Sequence, residues 1–493
     1  MLITLVSPIR VNITIKLYTN MEAIVMPRFI RRTASNYGNI ILVVVLLIAG
    51  MGAIGKIIRN GQLKKIYNFR QELKKIKAIK KSSKTQPKDG ILIGHAGKKA
   101  IYIPDEAKHI FICGTTGSGK TVALSNFIKR AIDKDYPALI IDGKGDTGQG
   151  SMLDIINTMN KEGKKKLYII NLSDPANSDK YNPFHGASPT IAKDMLINMT
   201  DWSEEHYKLN AERYIQRIPQ LMEIGKYKIS FKKIIKCLPT DKFLILSKTL
   251  LESELITKAQ HLENVDLAST SGKIAEGSMA RFSTIAESEV GEIFTSNGID
   301  ISQALEEKAI ILFILNPLIY PELSPAFGRL VLIDSKKAIG KLFKLNSPKS
   351  FFIMDEINVY ATTALTDLVN KSRSAGVTCV LATQSLSDLD FACGEAYKEQ
   401  IIENCNNYIV MRQNSGVNAE NWANILGTRS TMEVTYQLQQ KGLETSETGF
   451  GSARRVREYL YHPDDIKTLR TGKGMYLSRD TNFNSKISIN KEF

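Results

Sequence analysis

The chain has 493 residues, 43% of them apolar and 24% charged, with a net charge of +16. That length and apolar share suffice for two or three domains with full cores, and they exclude a mostly disordered chain. The positive charge invites a nucleic-acid partner, but it is concentrated: Met1 to Gly38 carries five Lys/Arg against one Glu, and Lys56 to Lys84 eleven against one, which leaves only about +2 for everything from Thr85 onward.

Between the two basic segments lies NIILVVVLLIAGMGAIG, residues 39–55, with no charged residue. With its neighbours it is long enough to cross a bilayer, so a transmembrane helix is predicted over 39–58. The richer basic flank follows the span, which puts the body on the cytoplasmic side and residues 1–38 outside. A cleaved signal peptide would instead carry its basic region before the apolar run and export the body. Met21 and Met26 leave a second option for residues 1–38, that the first twenty or so are an overlong reading frame.

Residues 59–88 read as a basic juxtamembrane helix and linker. Leu63, Ile66, Leu73 and Ile76 recur at helical spacing among lysines, suited to anionic headgroups, before SSKTQPKDG breaks the pattern. From 89 to 188 the texture is that of a first part of a nucleotide-binding domain. A hairpin is expected around His95 to Lys98, then a strand to Cys113, a glycine-rich loop, a helix from about Thr121 to Ala131 and a strand ending at Asp142. Residues 189–292 read as an all-α domain. Strand texture returns over 293–485 with AIILFIL, SFFIMDE, GVTCVLAT and NNYIVMRQ, and 486–493 is left as a tail. Alternation of strands and helices predicts an α/β fold, a mostly parallel sheet covered on both faces. Five scattered cysteines without a C-x-x-C pair fit a reduced compartment and no zinc site.

The chemistry concentrates in three places. Gly114-Thr115-Thr116-Gly117-Ser118-Gly119-Lys120-Thr121 satisfies G-x-x-x-x-G-K-[ST], and it lies between a predicted strand and a predicted helix, the context the motif requires. Its backbone N–H groups would cradle phosphates, Lys120 would neutralise the β/γ oxygens of ATP, and Thr121 would offer a hydroxyl to Mg²⁺. FFIMDE ends a strand on Asp355, expected to hold Mg²⁺ through water, and Glu356, expected to polarise the attacking water. Gln384 ends the next strand, where open parallel sheets keep their ligands, and its amide would meet the γ-phosphate or that water. Arg373 has two readings from spacing, a solvated helix end or an arginine finger for a neighbouring subunit.

Taken in order, HIFICGTTGSGKT, ALIIDGKGD, KYNPF, the stretch from FFIMDE to ATQSLSDL, and IIENCNNYIVMRQN resemble the coupling ATPases of bacterial conjugation and type IV secretion, the TraG/TraD type within the FtsK/HerA group. The resemblance spans roughly residues 90 to 480. It implies a RecA-like P-loop fold in a membrane-anchored ring, usually a hexamer, in the bacterial inner membrane. Such a ring pulls single-stranded DNA with its bound relaxase toward the secretion channel, and the all-α domain meets the relaxosome. It also assigns Lys120 and Thr121 to phosphate and metal, Asp355 and Glu356 to the Walker B positions, Gln384 to the γ-phosphate sensor and Arg373 to the finger, and places Asp142 and Lys144 in the family's second motif without a role. The chain departs from many members in showing a single span and no long acidic tail. Two alternatives stand beside this: a double-stranded DNA translocase of the FtsK/HerA kind, and a membrane scaffold that delivers proteins with ATP as a switch.

Overall fold

A computed structural model describes residues 48–56, 89–200, 202, 204–343, 349–441 and 444–492. It divides into two compact units, one containing Met1–Lys84 with Gly427–Leu460 and the other Thr85–Leu426 with Tyr461–Phe493.

Thirteen strands occur in the described residues: β1 (Ile91–Ala96), β2 (Lys99–Ile103), β3 (Ile110–Cys113), β4 (Ala138–Asp142), β5 (Leu167–Asn171), β6 (Ile310–Ile314), β7 (Ser350–Asp355), β8 (Val377–Thr383), β9 (Asn407–Val410), β10 (Thr428–Lys441), β11 (Glu444–Tyr459), β12 (Lys473–Ser478) and β13 (Phe483–Ile489). In the larger unit eleven of them form one sheet in the order β2-β1-β13-β12-β9-β3-β8-β7-β4-β6-β5. The stretch from β9 to β5 is parallel, and β12, β13, β1 and β2 extend it antiparallel. Parallel strands need cover on both faces, which is why β3, β4, β6, β7, β8 and β9 are buried along their whole length and read as unbroken apolar runs.

Alternation within β3 shows how that cover is built. Ile110 and Ile112 join the apolar cluster that includes Ala123, Leu124, Phe127, Ile128 and Ala131 of the helix Lys120–Asp133. Phe111 points the other way, its ring 5.7 Å from Trp422 of the helix Gly416–Leu426. The helix therefore rises directly from the end of β3 and lies back against the sheet, the arrangement that leaves its N-terminus open at the strands' C-terminal edge.

The polar-apolar texture after Pro189 folds as helices at Pro189–Met199, Glu205–Ile224, Phe231–Cys237, Thr240–Glu252, Lys258–Leu267 and Lys273–Glu287. Ser188 caps the first by accepting from Ile191 N, and Thr257 and Gln260 form a capping box on the fifth. A π-turn, Ala268–Gly272, joins the last two. Tyr214 and Phe243 centre the small core, with rings 4.9 Å apart.

KYNPF is the hinge of this helical excursion. Tyr181 N donates to Ile293 O and Asn182 N to Ile299 O, so the chain entering the helices is stitched to the chain leaving them. The Tyr181 hydroxyl donates to Asp334, whose other oxygen lies 2.9 Å from Lys337 Nζ, and Phe184 stacks on Phe231. Apart from the Asn182 side-chain oxygen, which has no partner, these polar groups are buried with partners and join the segments around the helices.

Three features differ from the sequence expectations. β5 joins the sheet edge although no strand was expected there, the predicted tail starting at 486 begins inside β13, and β10 and β11 pair as a long antiparallel ribbon in the smaller unit. Of the predicted span, residues 48–56 are helical, with Ile48, Met51 and Ile54 exposed, while 39–47 and 57–58 lie outside the described residues. No helix among the described residues is long and apolar enough to cross a membrane. Residues 1–38 and the predicted basic helix to Lys84 also lie outside the described residues.

Candidate nucleotide site

The loop Gly114–Gly119 leaves β3 at the C-terminal edge of the parallel strands. Gly114 N donates to Thr383 O of β8, and Thr115 N to Arg412 O just beyond β9, so both neighbouring strands anchor its start. Gly119 has φ +108, a conformation an L side chain rarely adopts, and it hands the chain directly to Lys120 at the first turn of the helix. The loop's N–H groups and the helix N-terminus together form an anion cradle.

A chain of side chains crosses the mouth of this loop. Lys120 Nζ donates to Gly114 O at 2.8 Å and lies 3.4 Å from Glu356 Oε1, with both side chains almost wholly buried. Gln384 Nε2 donates to the same Glu356 oxygen at 3.2 Å, and Thr116 Oγ1 donates to Gln384 Oε1 at 3.1 Å. Glu356 adopts φ +47, a left-handed backbone unusual for a residue with a side chain, and strain of this sort clusters at functional sites. Its Oε2 is buried without a hydrogen-bond partner. Such an atom costs about 1–3 kcal/mol unless something else engages it, and a water or a cation would.

Asp355 precedes Glu356 and sits directly opposite Asp142 in the β4–β7 pairing. Burial, then the Glu356 and Asp142 charges, push the Asp355 carboxyl up to about 7, and burial pushes Asp142 up to about 6. Asp142 accepts from Lys144 N, which fastens the turn Gly143–Gly145. Carboxyls so reluctant to ionise fit a divalent cation, which supplies the charge their surroundings lack. Asp355 with the Thr121 hydroxyl matches the sparse protein donor set of Mg²⁺, the rest coming from water and phosphate.

Arg373 is not part of this group. It is exposed, in the 3₁₀ turn Arg373–Ala375 ahead of β8, whereas Gln384 follows that strand. Seven strand residues at about 3.3 Å each separate the two edges by roughly 20 Å. Any role for Arg373 at a nucleotide is therefore in a neighbouring chain's site.

The structure adds residues that motif reasoning missed. Thr471 Oγ1 donates to Gly117 O at 3.1 Å and Gly472 N to Ser118 O at 2.9 Å, so a turn ahead of β12 holds the outer side of the loop. Met411 lies against Gly114 and Gly119. Neither a Thr-Gly turn nor a single Met carries a sequence signal.

Two family models match the chain. The central domain of helicase HerA covers residues 100–286, and the TraM recognition site of TraD and TraG covers 349–471. The chain is a P-loop ATPase similar to the coupling proteins of conjugation and secretion. Its fold is similar to that of an unbound form of the bacterial conjugative coupling protein TrwB, at 17% identity and a TM-score of 0.59 over 84% of this chain and 92% of that one. TrwB structures with a non-hydrolysable ATP analogue, and with ADP and Mg²⁺, share the fold at TM-scores of 0.57 and 0.56. VirB4 of Thermoanaerobacter pseudethanolicus is similar at 12% identity and a TM-score of 0.52, over 83% of this chain and 98% of that one. An uncharacterized protein of Mycoplasma pneumoniae is 27% identical over 120 residues, 24% of this chain and 77% of that protein.

Proposed function

We propose that this ATPase drives single-stranded DNA, with its bound relaxase, toward a type IV secretion channel in bacterial conjugation. The observation that carries the proposal is the Thr116–Gln384–Glu356–Lys120 chain at the mouth of the loop, in a fold shared with TrwB.

ATP hydrolysis follows from these groups. Lys120 exchanges Gly114 O and Glu356 for the β/γ-phosphate oxygens, which frees the Glu356 carboxylate. Glu356 then accepts the proton of the attacking water, which its Oε2 faces no competing partner to engage. Gln384 keeps its amide on the carboxylate or passes it to the γ-phosphate. Thr121 and Asp355 would hold Mg²⁺, which would supply positive charge to the phosphates. Arg373 completes the site of the next subunit in a ring, a hexamer by resemblance.

The predicted span at 39–58 anchors the ring in the inner membrane with its body cytoplasmic. Alkaline extraction and protease shaving of cells test this, and digestion of the body from outside rejects it. Residues 349–471 match the region by which TraD and TraG recognise TraM, so a relaxosome protein is the expected partner there.

The deciding experiment is the ATPase rate with single-stranded DNA, with duplex DNA and with neither. Preferential stimulation by single strands is expected. The HerA match over 100–286 favours a second reading, a duplex translocase, which preferential duplex stimulation would support. Indifference to both would favour a scaffold that delivers proteins.

A further inference from the structure

Away from the nucleotide loop, strand register gathers positive charge on the sheet's antiparallel extension. Ser488 of β13 pairs with His95 of β1 on one side and Lys473 of β12 on the other, so the three side chains share a row on one face. Lys486, two residues earlier, shares that face, while Ile487 turns inward to the core over the helix Lys120–Asp133. Arg470 overhangs from the turn before β12. These groups line a cleft of about 380 Å³ in which no carboxylate takes part. Lys473 Nζ donates to the Ser488 hydroxyl, and neither Arg470 nor Lys486 makes an ion pair among the described residues.

Cations gathered without a counter-charge repel one another, and an anion that fills the cleft relieves this. We infer that the cleft binds backbone phosphates of a single-stranded nucleic acid and reports their presence to the nucleotide loop. The inference rests on the proposed function above. No Phe, Tyr or Trp ring lines the cleft, which leaves only the His95 imidazole for stacking, so the cleft recognises the backbone without regard to sequence. Arg470 and Lys473 bracket Thr471 and Gly472, the residues bonded to the carbonyls of Gly117 and Ser118. A phosphate drawn in by the bracketing cations therefore loads the turn that shapes the loop. This link to the nucleotide loop favours a strand that stimulates hydrolysis over a lipid headgroup.

The test uses the full chain with Arg470→Gln and Lys486→Gln combined, and a fluorescent oligo-dT strand as probe. Each lost phosphate contact reduces the slope of log affinity against log salt by about 0.7, so the double variant should be less steep by about 1.4. Its oligonucleotide-stimulated ATPase should fall at least about fivefold, with basal turnover and ATP binding unchanged. A paired Lys161→Gln, Lys164→Gln variant, changed elsewhere on the surface, should behave as the parent. An unchanged slope in the double variant, or an equal change in the control, overturns the cleft. So does loss of binding to phosphatidylglycerol vesicles with strand binding intact, which would assign it to lipid. If the parent neither binds nor responds to the strand, the DNA reading falls and the cleft with it. A parent that responds alongside an unaltered double variant removes the cleft alone.

Discussion

Lys120 Nζ and Glu356 Oε1 face each other at 3.4 Å across the C-terminal edge of the sheet, both nearly excluded from solvent. Each charge offsets the other's desolvation, so cutting either one away leaves a buried charge alone, at a cost of about 3–5 kcal/mol. The two differ in what they do for the nucleotide. Lys120→Ala removes the charge that holds phosphate and should abolish ATP binding. Glu356→Gln keeps the shape and removes the base, so it should bind ATP and stall. Fluorescent-nucleotide titration beside phosphate release separates these outcomes. Equal loss of binding in both would strip Glu356 of the role of base.

Gly143 controls where Glu356 stands. A Cβ there would lie 2.8 Å from Asp355 O, 3.0 Å from Glu356 Cβ and 3.0 Å from Glu356 O. Two of these atoms are main chain and cannot swing aside, so Gly143→Ala must shift the Asp355–Glu356 peptide, at about 1–3 kcal/mol of stability. A displacement of about 1 Å at the chemistry costs on the order of 10²-fold in rate. Turnover should fall by at least tenfold while the apparent KM for ATP stays within about threefold, a split that steady-state kinetics reads directly. Unchanged turnover would mean that the geometry of Glu356 is not limiting.

What the sequence made legible was local. The loop, the Asp355–Glu356 pair and Gln384 each depend on spacing within one strand and the turn after it, and the structure assembles them as neighbours. The Asp142–Asp355 opposition depends on β4 pairing with β7, strands more than two hundred residues apart, and no local pattern encodes that. The same holds for Thr471 and Gly472, brought to the loop by antiparallel strands at the end of the chain. The ribbon β10–β11 was missed although part of it was legible: in STMEVTYQLQQK the apolar Met432, Val434, Tyr436 and Leu438 alternate with polar residues as in a strand, whereas the pairing segment GFGSARRVRE shows no such alternation to announce a hairpin.

His109 gives the body an acid-sensitive point. Its Nδ1 accepts from Cys379 N at 3.0 Å, and burial depresses its pKa to about 4. The unfolded chain, titrating near 6.5, binds a proton that the folded chain refuses. Stability from this group is therefore complete above about pH 6.5 and is lost as pH falls toward 4, by about 2 kcal/mol between pH 7 and 5. His109→Gln removes the titration along with a packed ring. Its stability deficit should be larger at pH 7 than at pH 5 by about that amount. Urea unfolding followed through the fluorescence of Trp422, which packs on Phe111, measures the deficit at each pH. A deficit independent of pH would mean that His109 binds its proton as readily in the fold as in the unfolded chain.

Arg373 presents the sharpest test of assembly. It is exposed, makes no ion pair among the described residues, and lies roughly 20 Å from the loop of its own chain by strand length. A solvated arginine in that place does nothing for catalysis, whereas one presented to a neighbour's γ-phosphate stabilises charge in the transition state, worth about 10³-fold or more in turnover. Arg373→Ala should then lose turnover on that scale with little change in ATP binding. Mixing decides between a finger and a local defect. In rings built from Arg373→Ala and Glu356→Gln subunits, an Arg373→Ala subunit keeps its own Glu356 and borrows an arginine from a Glu356→Gln neighbour. Neither variant alone forms one complete site, but mixed rings do. Hydrolysis should reappear on mixing and rise with protein concentration as rings form. Co-purification through different tags verifies that the rings are mixed. If mixed rings stay inactive, or if Arg373→Ala alone turns over normally, Arg373 is only a solvated helix end and each chain's site lacks that arginine.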